Sequence, residues 1–386
     1  MLEVYTRLLK LPEHSFFLFG PRGTGKTTWL RDKLPTAKWF DLLRHDEYLS
    51  LLRDPSRLRM IVETLPAKSW VVVDEVQKLP PLLDEVHGLI SSHREKYHFA
   101  LSGSSARKLK RLNANLLAGR AITRSFFPLT GAEFDFSIKP ETLLAFGSLP
   151  AVLSEPKFGI DILQAYVTTY LREEIQQEAL VNNIGSFTRF LEVAALMNAQ
   201  VVNVAGIARD ATIARPTVQR YFDTLSDTLI GVWLRPWLRR LKVRESTHPK
   251  FYFFDTGVVR ALTNRLHDPI MSEERGALLE TYVLHELRAN NAITNLGGEL
   301  RYWRTPAGVE IDFIWTRGSK AIGFEAKAST RWRSEYSHAL HELIANKSLQ
   351  AGFGIYLGNE ELKDNQVRIL PLTTFQKKLS AGELLG

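Results

Sequence analysis

The chain has 386 residues, 45% of them apolar and 24% charged, with a formal net charge of +8 and no cysteine. That length exceeds one ordinary domain core, and the composition is that of folded protein throughout, which excludes a low-complexity or disordered chain. The missing thiols exclude a disulfide framework and a thiolate metal centre, and the excess of Lys and Arg favours a polyanionic partner. No stretch approaches ~20 apolar residues or forms a secretory leader, so the expectation is a cytoplasmic protein with no membrane partner.

In chain order, the first chemistry lies in "SFFLFGPRGTGKTTWL", residues 15–30. A run of apolar β-formers is followed by a glycine-rich loop and a segment able to open a helix. Residues 20–27 fit G-x-x-x-x-G-K-[ST] between that strand and that helix, the context a phosphate-binding loop requires. Gly20, Gly23 and Gly25 would let backbone N–H groups turn inward on a triphosphate, with Pro21, Arg22, Thr24 and Thr28 completing the nucleotide-binding stretch. Lys26 would reach the β and γ phosphates, and Thr27 would hold Mg²⁺. The expected ligand is therefore ATP with Mg²⁺.

"SWVVVDEVQKLP", residues 69–80, reads as a buried strand ending in two carboxylates. Asp74 is expected on the Mg²⁺ side, and Glu75 as the general base that prepares water for attack on the γ phosphate. A third strand, "YHFALSGSS", ends in Ser102 and Ser104, candidates to sense the γ phosphate. Arg107, Arg120 and Arg124 follow as candidate fingers for transition-state charge, Arg120 foremost.

Together the GPRGTGKT loop, the VVVDE strand, the LSGSSARKL strand end and the LLAGRA…FPLT segment resemble a family of bacterial and archaeal AAA-like ATPases. In that family an ATPase domain precedes a C-terminal domain of poorly known function. The resemblance runs over nearly the whole chain and implies a central sheet with the phosphate-loop strand beside the sensor strand.

Periodicity breaks on Pro and Gly around 135–160, the expected end of the first domain. Beyond it, "ILQAYVTTYLREEIQQEAL" and "SFTRFLEVAALMNAQ" carry 3.6-residue apolar spacing, read as a helical lid. "VVNVAGIARDATIARPTVQRYFDTLSDTLIGVWL" has helix-turn-helix spacing, its second helix opened by Arg215 and Pro216. Thr217, Gln219 and Arg220 would face a nucleic-acid groove, and Arg235, Arg239, Arg240, Lys242, Arg244 and Lys250 would form a basic wing on phosphates. DNA is the expected polyanion, and docking of a protein partner is the alternative; whether the chain forms an oligomer is left open.

In the C-terminal third, Glu280 falls within an apolar helix stripe of Leu279, Val283, Leu284 and Leu287 and requires a partner, whereas Glu286 reads as an ordinary exposed side chain. "GVEIDFIWTRGSKAIGFEAKAS", residues 308–329, reads as two strands and a turn. Alternation puts Glu325 and Lys327 on one face with Asp312 across from them. Asp312 and Glu325 would hold a divalent cation, and Lys327 would polarise water for phosphodiester hydrolysis; the alternative is a cross-strand salt bridge on a retained, inactive fold. The order Glu280, Asp312, Glu325-x-Lys327 resembles the PD-(D/E)xK nuclease core, with no proline before Asp312.

The expectation is thus an α/β chain with an AAA-like P-loop NTPase parallel sheet over 1–135. A helical lid plus winged helix would span 136–265, and a small α/β nuclease-like domain 266–386. Its function would be ATP hydrolysis coupled to nucleic-acid binding or Mg²⁺-dependent cleavage, or else an ATP-dependent switch docking a protein partner with an inactive C-terminal nuclease fold.

Overall fold

The computed structural model describes residues 5–93, 96–104, 119–171, 183–238 and 248–385. The chain divides into two compact units. One is Leu9–Pro128 with Asp227–Leu229; the other joins Met1–Leu8, Leu129–Ser226 and Ile230–Gly386. The second unit thus contains residues of both the middle segment and the C-terminal third.

The N-terminal unit is built on β1 (Phe16–Phe19), β2 (Lys38–Asp41), β3 (Ser69–Asp74), β4 (Tyr97–Gly103) and β5 (Ile122–Ser125), with α1 (Lys26–Lys33), α2 (His45–Arg53), α3 (Ser56–Glu63) and α4 (Leu82–Ser92) between them. The sheet is wholly parallel in the order β2-β3-β4-β1-β5. Its central strands are apolar at consecutive positions because both faces are covered. Phe17, Phe19, Val71, Val73 and Leu101 pack against Leu82 and Val86 on one face. On the other, Phe16, Leu18, Val72 and Ala100 meet Trp29 and Leu30 of α1. Parallel pairing brings the carboxyl ends of β1, β3 and β4 to one edge, where their loops meet. The phosphate-loop strand lies beside the sensor strand, as the resemblance implies: Phe19 pairs with Gly103.

The second unit opens with short helices: α5 (Pro140–Phe146), α6 (Pro150–Ser154) and α7 (Gly159–Ala165), the last running into a π-helical turn at Tyr166–Tyr170. Next come α8 (Ile184–Leu196), α9 (Val204–Asp210) and α10 (Arg215–Asp227), and an antiparallel pair, β6 (Gly231–Leu234) with β7 (Lys250–Phe253). Aromatic rings join these elements: Phe190 meets Phe222 at 4.9 Å, and Phe222 meets Phe251 at 4.7 Å. After α11 (Thr256–Leu262) and the long α12 (Ser272–Ile293) comes a six-stranded sheet: β8 (Glu299–Arg304), β9 (Glu310–Arg317), β10 (Lys320–Lys327), β11 (Ala351–Tyr356), β12 (Leu362–Asp364) and β13 (Val367–Pro371). The spatial order is β12-β13-β11-β10-β9-β8. Helices α13 (His338–Ala345) and α14 (Leu372–Ser380) complete the unit. Leu340 and Leu343 of α13 pack with Ile311 and Ile314, while Leu279 and Val283 of α12 join the core that includes Phe313 and Phe324.

Two irregularities position side chains. Trp303 pairs with Ile311 but Arg301 with Ile314, so Asp312 and Phe313 together oppose Tyr302. Such a bulge re-aims a side chain, here Asp312. Gly147 ends α5 at φ 73°, and a Cβ there would lie 2.0 Å from the Asp255 carboxylate. That carboxylate accepts from the N–H groups of Ser148, at 2.8 Å, and Val258, at 3.1 Å, fastening α5 to the start of α11.

Candidate functional site

Gly20 continues the hydrogen bonding of β1, its N–H donating to Gly103 O at 3.3 Å. A Cβ at Gly20 would meet Phe126 O at 2.2 Å, so only glycine lets the loop depart there. Gly23 and Gly25 adopt φ of 79° and 88°, the left-handed region that favours glycine, and Gly25 delivers the chain into α1. Pro21 is buried, Arg22 half-buried and Thr28 exposed. Thr24 Oγ1 donates to Pro21 O at 2.8 Å, while the buried Lys26 ammonium donates to Gly20 O and Pro21 O at 2.7 and 3.0 Å. Lys26 thus lies along the loop backbone at the N-terminus of α1, the end of a helix that attracts anions.

Thr27 Oγ1 donates to Asp74 Oδ2 at 2.8 Å, joining the loop to the end of β3. Ser102 donates to the other oxygen of Asp74. Burial raises the Asp74 carboxyl above its usual range, against the lowering effect of the Ser102 and Thr27 hydroxyls. Glu75 takes φ 57°, an unusual conformation for a side chain of its size. Its carboxylate accepts a hydrogen bond from Gln77, which also donates to Ser104 Oγ at 3.0 Å. Gln77 belongs to no sequence motif, but its place two residues beyond Glu75 on a one-turn 3₁₀ helix turns it back toward that carboxylate. Arg120 is exposed and 2.9 Å from His87 Nε2, and Arg124 is half-buried; Arg107 lies outside the described residues.

In the second unit, α9 and α10 are separated by residues 211–214, with Thr212 at φ 57°. On α10, Gln219 and Arg220 are exposed and Thr217 half-buried. Arg235 is exposed, and Arg239, Arg240, Lys242 and Arg244 lie outside the described residues. Lys250 departs from expectation. Rather than offering its charge to phosphates from a wing, it opens β7 with its side chain 5% exposed and pairs with Glu280 at 3.3 Å and with Glu310. The alternation of "KFYFF" aims Lys250 and Tyr252 inward together, and Tyr252 Oη donates to the same Glu280 oxygen at 2.8 Å. These are the partners that a carboxylate in an apolar helix stripe demanded.

Around Glu280, the bulge brings Asp312 beside Glu325: the Asp312 N–H faces Glu325 Oε2 at 3.4 Å, and Asp312 Oδ2 accepts from the Ala326 N–H at 2.8 Å. Lys327 Nζ holds Glu325 Oε1 at 2.5 Å and lies 5.7 Å from the Tyr336 ring centre. Burial, with the charge of Asp312 next in weight, lifts Glu280 to about 7 and Glu325 well above the carboxylate range. The surrounding carboxylates, Glu325 first, outweigh burial at Lys327 and keep its ammonium charged. Among the described residues, no three His, Cys, Asp or Glu side chains gather so as to hold a metal ion.

Glu286 is a further correction. It is buried, and its Oε1 accepts from Gly131 N at 2.8 Å, Tyr282 Oη at 2.7 Å and Gln376 Nε2 at 3.0 Å. A 22-residue helix with apolar side chains around much of its girth leaves this position no route to water, which a single-stripe reading misses. Among the described residues, no helix is long and apolar enough to cross a membrane.

Three family models divide the sequence. Residues 13–135 match one described as an AAA domain; residues 139–268 and 275–375 match two domains of unknown function, DUF8612 and DUF4143. Uncharacterized proteins of Mycobacterium tuberculosis and Mycobacterium bovis are each 27% identical over 319 residues, 81% of this chain and 70% of theirs. Among solved structures, a RuvB variant from Thermotoga maritima has 15% identity and a TM-score of 0.31, covering 57% of this chain and 82% of its own. A Vibrio cholerae protein has 9% identity and a TM-score of 0.21 over 96% of both chains. At those scores neither structure carries an argument. The family match and the loop geometry agree on the N-terminal region: residues 13–135 match an AAA domain and carry a phosphate-binding loop on a parallel sheet.

Proposed function

We propose that the chain binds ATP with Mg²⁺ at the phosphate loop and hydrolyses it, and that turnover sets the state in which its second unit engages a partner. The observation that carries this is the hydrogen bond from Thr27 to Asp74, which holds together two oxygen donors of the kind a hard divalent cation prefers. Those two residues would hold Mg²⁺, which when bound supplies positive charge to the phosphate oxygens. Lys26 would exchange its loop carbonyls for phosphate oxygens. Glu75, steered by Gln77, would accept the proton of the attacking water, with Ser102 and Ser104 lining the same edge. Phosphate release from ATP in Mg²⁺ tests this: turnover is expected in the wild type and none in K26A, and equal turnover in both would refute it.

For the second unit, one observation favours a switch that grips a partner without cutting it: the carboxylates of the nuclease-like arrangement are already paired with lysines, Glu280 with Lys250 and Glu325 with Lys327. In this reading Thr217, Gln219 and Arg220 face a DNA groove and the basic residues Arg239, Arg240, Lys242 and Arg244 meet phosphates, with a protein surface as the alternative partner. Incubation with linear, branched and single-stranded DNA in Mg²⁺ or Mn²⁺ is expected to give salt-sensitive binding and intact DNA. Cleavage that disappears in D312N would restore the nuclease reading.

A further inference from the structure

The order Glu280, Asp312, Glu325, Lys327 resembles centres that work through a divalent cation on the two middle carboxylates. The side chains present here do not fit such an ion. Every carboxylate of the trio has an oxygen committed within the protein: Glu280 Oε2 to Lys250 and Tyr252, Asp312 Oδ2 to the Ala326 N–H, and Glu325 Oε1 to Lys327. A hard cation of this class seeks about six oxygens, and no three acidic or imidazole side chains among the described residues gather to begin that shell.

The cluster also carries cations of its own. Four carboxylates cluster here, those of Glu280, Glu310, Asp312 and Glu325. Facing them are Lys250, Lys327 and Arg304, the last 3.5 Å from Glu310. An ammonium as buried as that of Lys250 is costly unless fully paired, and it pairs with Glu280 and Glu310 and lies 5.5 Å from the Tyr302 ring centre. We infer that Lys250 is the resident cation of this cluster, occupying the role a divalent metal would otherwise fill, so that the centre binds neither Mg²⁺ nor Mn²⁺ while β7 is in place. The inference rests on the non-cutting reading above and adds its cause: the lock is a strand outside the β9–β10 hairpin, supplied by the segment that follows the α9–α10 pair.

The test is Mn²⁺ binding to the nucleotide-free full chain, followed by electron paramagnetic resonance. Wild type and D312N should titrate identically, because no ion sits on Asp312 in either. K250A and K250M should gain one Mn²⁺ site that disappears again when D312N is added. A site present in wild type and lost in D312N would overturn the inference, as would folded K250A and K250M variants that gain none. Should both lysine variants fail to fold, the comparison of wild type with D312N decides alone. Cleavage of DNA by the wild type, abolished in D312N, would instead sink the non-cutting reading; absence of a gained site with DNA intact would sink only the inference.

Discussion

The hydroxyl of Thr27 and the carboxylate of Asp74 are 2.8 Å apart although 47 residues separate them in the chain. This bond ties the start of α1 to the end of β3, and Ser102 completes the hold on Asp74 from β4. Replacing Thr27 by Ala, or Asp74 by Asn, is expected to slow ATP hydrolysis by ~10²-fold or more, the scale of losing an electrostatic stabiliser of the transition state. Phosphate release at saturating nucleotide measures it. Rates within twofold of wild type would remove both residues from the Mg²⁺ site.

Gln77 touches Glu75 and Ser104, and in the proposed reaction it would aim Glu75. In Q77A the turnover number should fall by roughly 10-fold with KM nearly unchanged, since no contact with bound nucleotide is lost. A rise in KM at constant turnover would place Gln77 among the nucleotide-binding side chains instead.

Asp255 and His285 give the second unit opposing responses to pH. Burial raises Asp255 to about 6, so its protonated form is favoured in the folded state. Its contribution is fully present below its unfolded value near 3.8 and is lost as pH rises toward 6. Burial lowers His285 to about 4, so its contribution appears as pH rises from 4 through 6.5. D255N removes only the first effect. Relative to wild type, its unfolding free energy should therefore increase from pH 4 to pH 6.5, by up to ~3 kcal/mol. Urea titrations at both pH values measure that difference, and a constant offset would contradict the assignment.

Glu286 gathers three donors in the core. E286A should cost ~3 kcal/mol or more, because Gly131 N–H, Tyr282 and Gln376 would all lose their acceptor, while E286Q, which keeps an oxygen there, should cost less. Equal losses in the two variants, read from urea midpoints, would mean that packing rather than acceptance is what matters.

The nucleotide edge was legible because its parts are local: apolar runs, glycines required by φ and close approach, and carboxylates at a strand end. Asp312, Glu325 and Lys327 were legible as neighbours because two strands joined by a short turn alternate predictably. Lys250 was not, since its surroundings depend on β7 meeting α12 and β9, 30 and 60 positions away, and a basic composition near it suggested the opposite role. The bulge that re-aims Asp312 was hidden for a related reason: a register shift shows only once β8 is paired. Glu286 looked exposed because one stripe was assumed for a helix packed on more than one side.

ATP hydrolysis with Glu75 as base is tested by a pair of measurements on E75Q: nucleotide affinity by titration and phosphate release under saturating ATP with Mg²⁺. Affinity should stay within a few-fold of wild type while turnover falls by ~10²-fold or more, the scale of general-base catalysis. Turnover in E75Q equal to that of the wild type would remove Glu75 from the role of base.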